Sequence, residues 1–106
     1  MPIRPLVHIA LHFLVPLAVA RTFYGKNWRR AAAVMIATIV IDLDHLLASP
    51  LYDPGRCSIG FHPLHTWPAI VLYGITAVFP QTRLVGIGLL IHMALDGSDC
   101  LWMAAF

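Results

Sequence analysis

The stretch AAAVMIATIVIDLDHLLAS, residues 31–49, is long and apolar enough to cross a membrane, yet it carries Asp42, Asp44 and His45 within four positions. A membrane-spanning helix needs about 20 predominantly apolar residues. A charged side chain at the centre of such a helix costs about 2.5 to 3.5 kcal/mol unless it is compensated. The stretch therefore predicts both a spanning helix and a polar cluster with partners inside the membrane.

The rest of the chain has the same apolar character. Its 106 residues are 59% hydrophobic and 11% charged, which is too apolar for an ordinary soluble domain. Three further apolar segments cover residues 5–24, 64–79 and 83–102. We therefore expect one all-α domain over residues 1–106, an integral-membrane four-helix bundle with a loop at 50–63 on the outer side.

Basic residues predict the orientation of this bundle. Arg21, Lys26, Arg29 and Arg30 crowd the short connection between the first two segments, and Arg83 precedes the last one. Loops rich in Lys and Arg stay on the cytoplasmic side, so both chain termini are expected on the outer side. The expected location is a bacterial inner membrane, crossed several times, with the lipid bilayer as partner. A bundle of this size is also compatible with a homodimer. The net charge of +2 gives no support to a nucleic-acid partner.

The first segment also resembles a secretory signal, because Arg4 precedes an apolar run that ends in small residues. However, the apolar core of a signal sequence does not require residues such as His8, His12 and Pro16. We therefore favour a retained first helix.

Ionisable residues on three of the predicted helices fall at one depth. Counting about 1.5 Å per residue places most of them about 10 Å below the outer face of the membrane. Residues three or four apart share a helix face. The pairs on one face are His8 with His12, Asp42 with His45, and His92 with Asp96. We predict that the three pairs line one shared site.

The outer loop adds two further histidines to this layer. His62 and His65 lie directly before the third apolar segment, where they can close over the site from above. Imidazole and carboxylate together suit a divalent transition metal, most of all zinc. The predicted ligands suffice for one or two ions: His8, His12, Asp42, His45, His62, His65, His92 and Asp96. Asp44 points away from the pair on its own helix and is expected to orient a ligand or to act as a base.

The motifs HIALH, DLDHLL, CSIGFHPLHTW and HMALDGSDC resemble a family of small bacterial membrane proteins of unknown function, domain-of-unknown-function family 6122. More distantly, they look like the membrane-bound metal-dependent hydrolase family. That second resemblance implies metal-binding or catalytic roles for a set of six residues: Asp42, Asp44, His45, His65, His92 and Asp96. The loop of this chain departs from the pattern of the hydrolase family. That pattern has an arginine after the first loop histidine, and Pro63 stands at that position here.

The favoured function is a metal-dependent hydrolase that opens to the outer leaflet, acts on a lipid ester or phosphoester, and uses Asp44 and His65 in catalysis. The alternative is a metal-binding membrane protein without catalysis, such as a transporter, sensor or storage protein. Haem held between histidines would explain the imidazoles but leaves the aspartates unexplained. Cys57 and Cys100 are expected on the outer side as a disulfide, free thiols or soft metal ligands.

Overall fold

The structure of the protein is a computed structural model that describes residues 3–49 and 55–105. Within these residues the chain forms four α-helices and no strand, so the all-α prediction is confirmed. The helices are α1 Ile3–Phe23, α2 Trp28–Ala37, α3 Trp67–Val78 and α4 Arg83–Ala105. Residues 50–54 of the predicted outer loop lie outside the described part of the chain.

The second predicted helix changes its winding halfway. The α-helix α2 ends at Ala37, and Thr38–Leu47 continue as a 3-10 helix, which we call the 3-10 segment. Two features favour this change: the Thr38 hydroxyl donates to the Met35 carbonyl at 2.6 Å, and four β-branched residues follow one another at 38–41. A 3-10 helix has three residues per turn, so residues three apart stand in one row.

The third helix begins later than predicted. Pro63–His65 form a separate 3-10 turn and Thr66 is extended, so α3 starts at Trp67 with Pro68 in its first turn. Proline is favoured there because its missing N–H leaves no helix hydrogen bond unmade. His65 therefore lies on a turn before the helix.

Helix α4 packs against α1, α2 and α3 and organises the bundle. Two of its glycines permit this: a side chain at Gly86 would overlap the backbone of Ala77, and one at Gly88 would meet the backbone of Met35. Small residues at such contacts let helix backbones approach closely. One apolar cluster, built on Ala20, Ala31, Ala32 and Met35, fills the end of the bundle that carries the basic residues.

Two of the helices, Ile3–Phe23 and Arg83–Ala105, are long and apolar enough to span a membrane. Helix α3 has 12 residues and is about 18 Å long. Together α2 and the 3-10 segment rise about 35 Å. Large apolar side chains point outward on α1, the 3-10 segment, α3 and α4, for example Leu14, Val40, Leu72 and Leu101.

Candidate metal centre

Four side chains from three elements converge at the end of the bundle opposite the basic residues, and we call them the central group: Asp42, His65, His92 and Asp96. Asp42 comes from the 3-10 segment, His65 from the turn before α3, and the other two from consecutive turns of α4. Three of the four residues are at most 3% exposed. Only the Asp42 side chain, at 36%, reaches the surface.

The spacing of these four ligand atoms fits a tetrahedral metal ion. The Asp42 Oδ1 atom lies 3.1 Å from His65 Nε2 and 3.0 Å from His92 Nε2, and the two nitrogens are 3.3 Å apart. Asp96 Oδ2 lies 3.0 Å and 3.2 Å from the same nitrogens. Ligands placed about 2.0 to 2.1 Å from a tetrahedral zinc ion are about 3.3 to 3.4 Å from one another. The group therefore needs only a slight expansion to hold such an ion.

Proton positions support the same interpretation. His65 Nδ1 lies 3.0 Å from Asp44 Oδ2, and an ionised carboxylate only accepts, so Nδ1 carries the hydrogen. In a neutral ring, His65 Nε2 then presents a lone pair to two carboxylate oxygens. A cation between buried acceptors that face one another in this way would satisfy all of them.

Asp44 orients His65 from outside the central group. Besides His65 Nδ1, Asp44 Oδ2 accepts the backbone N–H of Leu64 at 2.8 Å, and its Oδ1 lies 3.0 Å from His45 Nδ1. Asp44 is only 6% exposed. A carboxylate that holds the second nitrogen of a ligating histidine is a recurrent feature of protein metal sites. The contact is of the kind that the sequence led us to expect if Asp44 orients a ligand; whether His65 binds a metal stays a prediction.

A second set, which we call the α1 group, shares one residue with the first: His8, His12 and Asp96. His8 Nε2 lies 3.1 Å, and His12 Nε2 3.2 Å, from Asp96 Oδ1. The i,i+4 spacing on α1 places both rings on the side that faces α4.

A third set, the loop group, contains Asp44, His45 and His62. The rings of His45 and His62 are stacked, with their centroids 3.7 Å apart. Burial, and to a lesser degree the neighbouring His45, lowers the pKa of the His62 imidazole, which favours the neutral form that binds metals. Stacked rings do not direct both nitrogens at one point as well as converging rings do, so this group is the weakest of the three.

The structure thus brings together all eight predicted ligands, but distributes them differently from the prediction. His92 with Asp96 and His8 with His12 act as pairs, as their spacing indicated. His45 does not join Asp42 in the central group, although its Nδ1 lies 3.8 Å from Asp42 Oδ1. The loop residue His65 takes that place, because the turn carries its ring between Asp42 and Asp44.

One contact beside the site was missed in the sequence. Arg4 Nη1 lies 2.7 Å from Asp99 Oδ2, and Asp99 Oδ1 is 3.8 Å from His8 Nδ1. The sequence carries a signal for it, because Arg4 is four residues before His8 and Asp99 is three residues after Asp96. These spacings place the ion pair one turn nearer the end of the bundle than the α1 group.

The loop that delivers His65 is held at several points. Gly60 has a φ of 83°, a left-handed conformation that favours glycine, and its N–H donates to the His65 carbonyl. The Tyr73 hydroxyl donates to the Leu64 carbonyl at 2.7 Å. Cys57 and Cys100 form a disulfide, which ties the loop to the last turns of α4.

Comparison with known proteins gives a family and no activity. No curated protein and no solved structure matched the chain, so the similarity to membrane-bound hydrolases stays an expectation from sequence motifs. The profile of a family described as a family of unknown function (DUF6122) matches residues 2–103. The chain therefore belongs to the DUF6122 family.

Proposed function

We propose that this protein is an integral-membrane, metal-dependent hydrolase that acts on a lipid ester or phosphoester at the outer leaflet. The observation that carries the proposal is the close spacing of the central group, in which five distances among the facing atoms of two imidazoles and two carboxylates are 3.0 to 3.3 Å. Zinc is the metal that this mixture and geometry favour.

The membrane placement is supported by the outer surface of the bundle. The apolar windows of α1 and α4 are only 17% and 33% buried, whereas the core helix of a soluble protein is mostly buried. Exposed apolar surface of this extent marks contact with lipid or a partner. The basic residues at 21–30 support a cytoplasmic position for that end, in which case the metal centre and both termini would face outward. A disulfide at the same end agrees with an oxidising compartment.

The roles of the central residues follow from their contacts. Zinc held here would lower the pKa of a bound water to about 7 and so supply a nucleophile at neutral pH. His65 and His92 would hold the ion through Nε2, and Asp42 and Asp96 through one oxygen each. With Nε2 on the metal and Nδ1 on Asp44, His65 has no nitrogen left for proton transfer. We therefore assign His65 as a ligand and Asp44 as the residue that positions it.

An amphipathic substrate fits the depth and exposure of the site. Asp42, the ligand that reaches the surface, lies next to the outward-facing Leu43 and near Leu46, so it is approached from the lipid side. A soluble metabolite would have to leave water to reach this place, whereas a lipid already lies in the bilayer with its ester near the interface.

The alternative, a metal protein without catalysis, is favoured by one observation. Four protein ligands around one ion are typical of structural sites, whereas catalytic zinc usually keeps an open position. Transport is the least favoured form of this alternative. A transporter needs polar groups along its path, yet residues 84–91 of α4 and 31–41 before Asp42 contain no ionisable side chain.

The test combines metal content with activity. The detergent-purified full chain is expected to contain stoichiometric zinc, and Asp42→Ala and His92→Ala to contain less of it, while Thr22→Ala at the basic end retains the full content. A panel of lipid esters and phosphoesters, assayed with and without a chelator, tests hydrolysis. A metal-free wild type, or both ligand variants with full metal content, would refute the metal centre. Full metal content without any chelator-sensitive hydrolysis would favour the non-catalytic alternative.

A further inference from the structure

The two oxygens of Asp96 face different ligand sets. Oδ2 points to His65 and His92 of the central group, at 3.0 Å and 3.2 Å. Oδ1 points to His8 and His12 on α1, at 3.1 Å and 3.2 Å. A carboxylate with one oxygen in each of two imidazole sets has the geometry of a bridge between two ions.

The hydrogen on His12 is placed by its own helix. His12 Nδ1 lies 2.7 Å from the carbonyl oxygen of His8, and a carbonyl only accepts, so Nδ1 is the donor. In the neutral ring, Nε2 then directs a lone pair at Asp96 Oδ1, which is also an acceptor.

This arrangement leaves buried atoms without a hydrogen-bond partner. His12 is 5% exposed and Asp96 3%. Among the atoms of the described residues, His12 Nε2 and Asp96 Oδ2 form no hydrogen bond. A buried acceptor that stays unsatisfied is unfavourable, so each of these atoms calls for a cation. An ion in the central group satisfies Asp96 Oδ2, and a second ion between His8 Nε2, His12 Nε2 and Asp96 Oδ1 satisfies His12 Nε2.

We propose that the α1 group is a second metal site, that Asp96 bridges it to the ion of the central group, and that this second ion is the one that binds substrate. The proposal rests on the hydrolase function above and names the position at which it acts. Four protein ligands fill a tetrahedron in the central group, whereas the α1 group supplies three. Three protein ligands and one open position are the usual composition of a catalytic zinc site.

The surroundings of the α1 group give access to that open position. His8 is 26% exposed in its side chain, whereas the imidazoles of the central group are at most 3% exposed. An open, shallow crevice between α1 and α4 runs past His8, with Val7, Leu11 and Leu95 as apolar walls. Asp99 and Ser98 line the same crevice. These apolar walls favour an acyl chain that lies along the bundle surface with its ester beside His8, which makes a lipid ester the substrate class.

The two sites can be separated by variants that each remove a ligand from one group only. Wild-type protein, freed of metal and titrated with Zn²⁺ in detergent, is expected to bind two equivalents. His12→Gln is expected to bind one and to lose lipid-ester hydrolysis, while Asp42→Asn weakens the other equivalent. Thr22→Ala is the control and binds two. If His12→Gln does not remain folded by size-exclusion chromatography, His8→Gln takes its place.

A spectroscopic signature tests the bridge itself. Two Mn²⁺ ions that share a carboxylate are magnetically coupled, so the fully loaded wild type is expected to give a coupled electron paramagnetic resonance spectrum. His12→Gln is expected to give the spectrum of isolated Mn²⁺, an outcome that a merely structural role for His12 does not produce. One zinc equivalent in the wild type, or two in His12→Gln, overturns the inference.

The outcomes also distinguish this inference from the proposed function. A wild type that binds two ions but hydrolyses no ester leaves the dinuclear site in place and refutes the function. A wild type that binds one ion and hydrolyses lipid esters refutes the second site and leaves the function in place.

Discussion

Replacement of Asp44 by Asn is the sharpest single test of how the central group is organised. Asp44 Oδ2 accepts from His65 Nδ1 at 3.0 Å and from the Leu64 N–H at 2.8 Å. An asparagine of the same shape has one acceptor oxygen. If its NH₂ faces His65 Nδ1, the ring must change tautomer, and His65 Nε2 then carries a hydrogen and cannot bind metal. If its oxygen faces His65, it keeps the Leu64 N–H as well, because both donors contact the Oδ2 position, but the acceptor is then neutral and the NH₂ lies beside His45 Nδ1.

Loss of an outer carboxylate of this kind lowers metal affinity about 10- to 100-fold. This corresponds to about 1.4 to 2.7 kcal/mol. We expect Asp44→Asn to fall in this range and still to bind zinc at saturation, because all four ligands of the central group remain. A competition titration against a chromophoric chelator measures the affinity, with Thr22→Ala as the control. An affinity of Asp44→Asn within about threefold of wild type would refute the orienting role.

Three further outcomes are expected. Gly88→Val is expected to destabilise the bundle by about 1 to 3 kcal/mol in thermal unfolding in detergent, because the added side chain meets the Met35 backbone. The control is Gly74→Ala, whose added methyl group faces open space and which should unfold no more easily than wild type. Replacement of both Cys57 and Cys100 by Ser removes a link across 43 residues and should cost about 4 kcal/mol on the loop-closure estimate; unchanged stability would show that helix packing alone fixes the loop. Removal of metal by a chelator should lower the melting temperature, and re-addition of zinc at about 1,000 times its Kd should restore about 4 kcal/mol, whereas Mg²⁺ should not.

The helical architecture could be predicted from the sequence because sufficiently long apolar segments form helices in a membrane-like environment. The bounds of α1 and α4 agree with the predicted 5–24 and 83–102 to within a few residues. The change of winding at Thr38 was not foreseen. It depends on a side-chain to backbone hydrogen bond and on crowding by β-branched residues, which a count of apolar residues does not register.

The pairs His8 with His12 and His92 with Asp96 were identified from spacing, because residues four apart on one helix share a face whatever surrounds the helix. Sequence alone could not say which loop histidine enters the central group. The path of residues 55–66 has no periodicity, and it is set by contacts with distant elements: Leu64 with Asp44 and Tyr73, and Cys57 with Cys100. The same contacts place the ring of His65 between two carboxylates.

By itself, the sequence determined the helical class and the family. It also determined that histidines and aspartates form a layer at one end of the helices, because helix geometry converts spacing along the chain into face and depth. Only the tertiary structure decided how that layer is divided: His65 rather than His45 beside Asp42, Asp44 behind it, and Asp96 between two imidazole sets. The division depends on side-chain directions across helix contacts and on one non-periodic loop, and neither follows from spacing along a single helix.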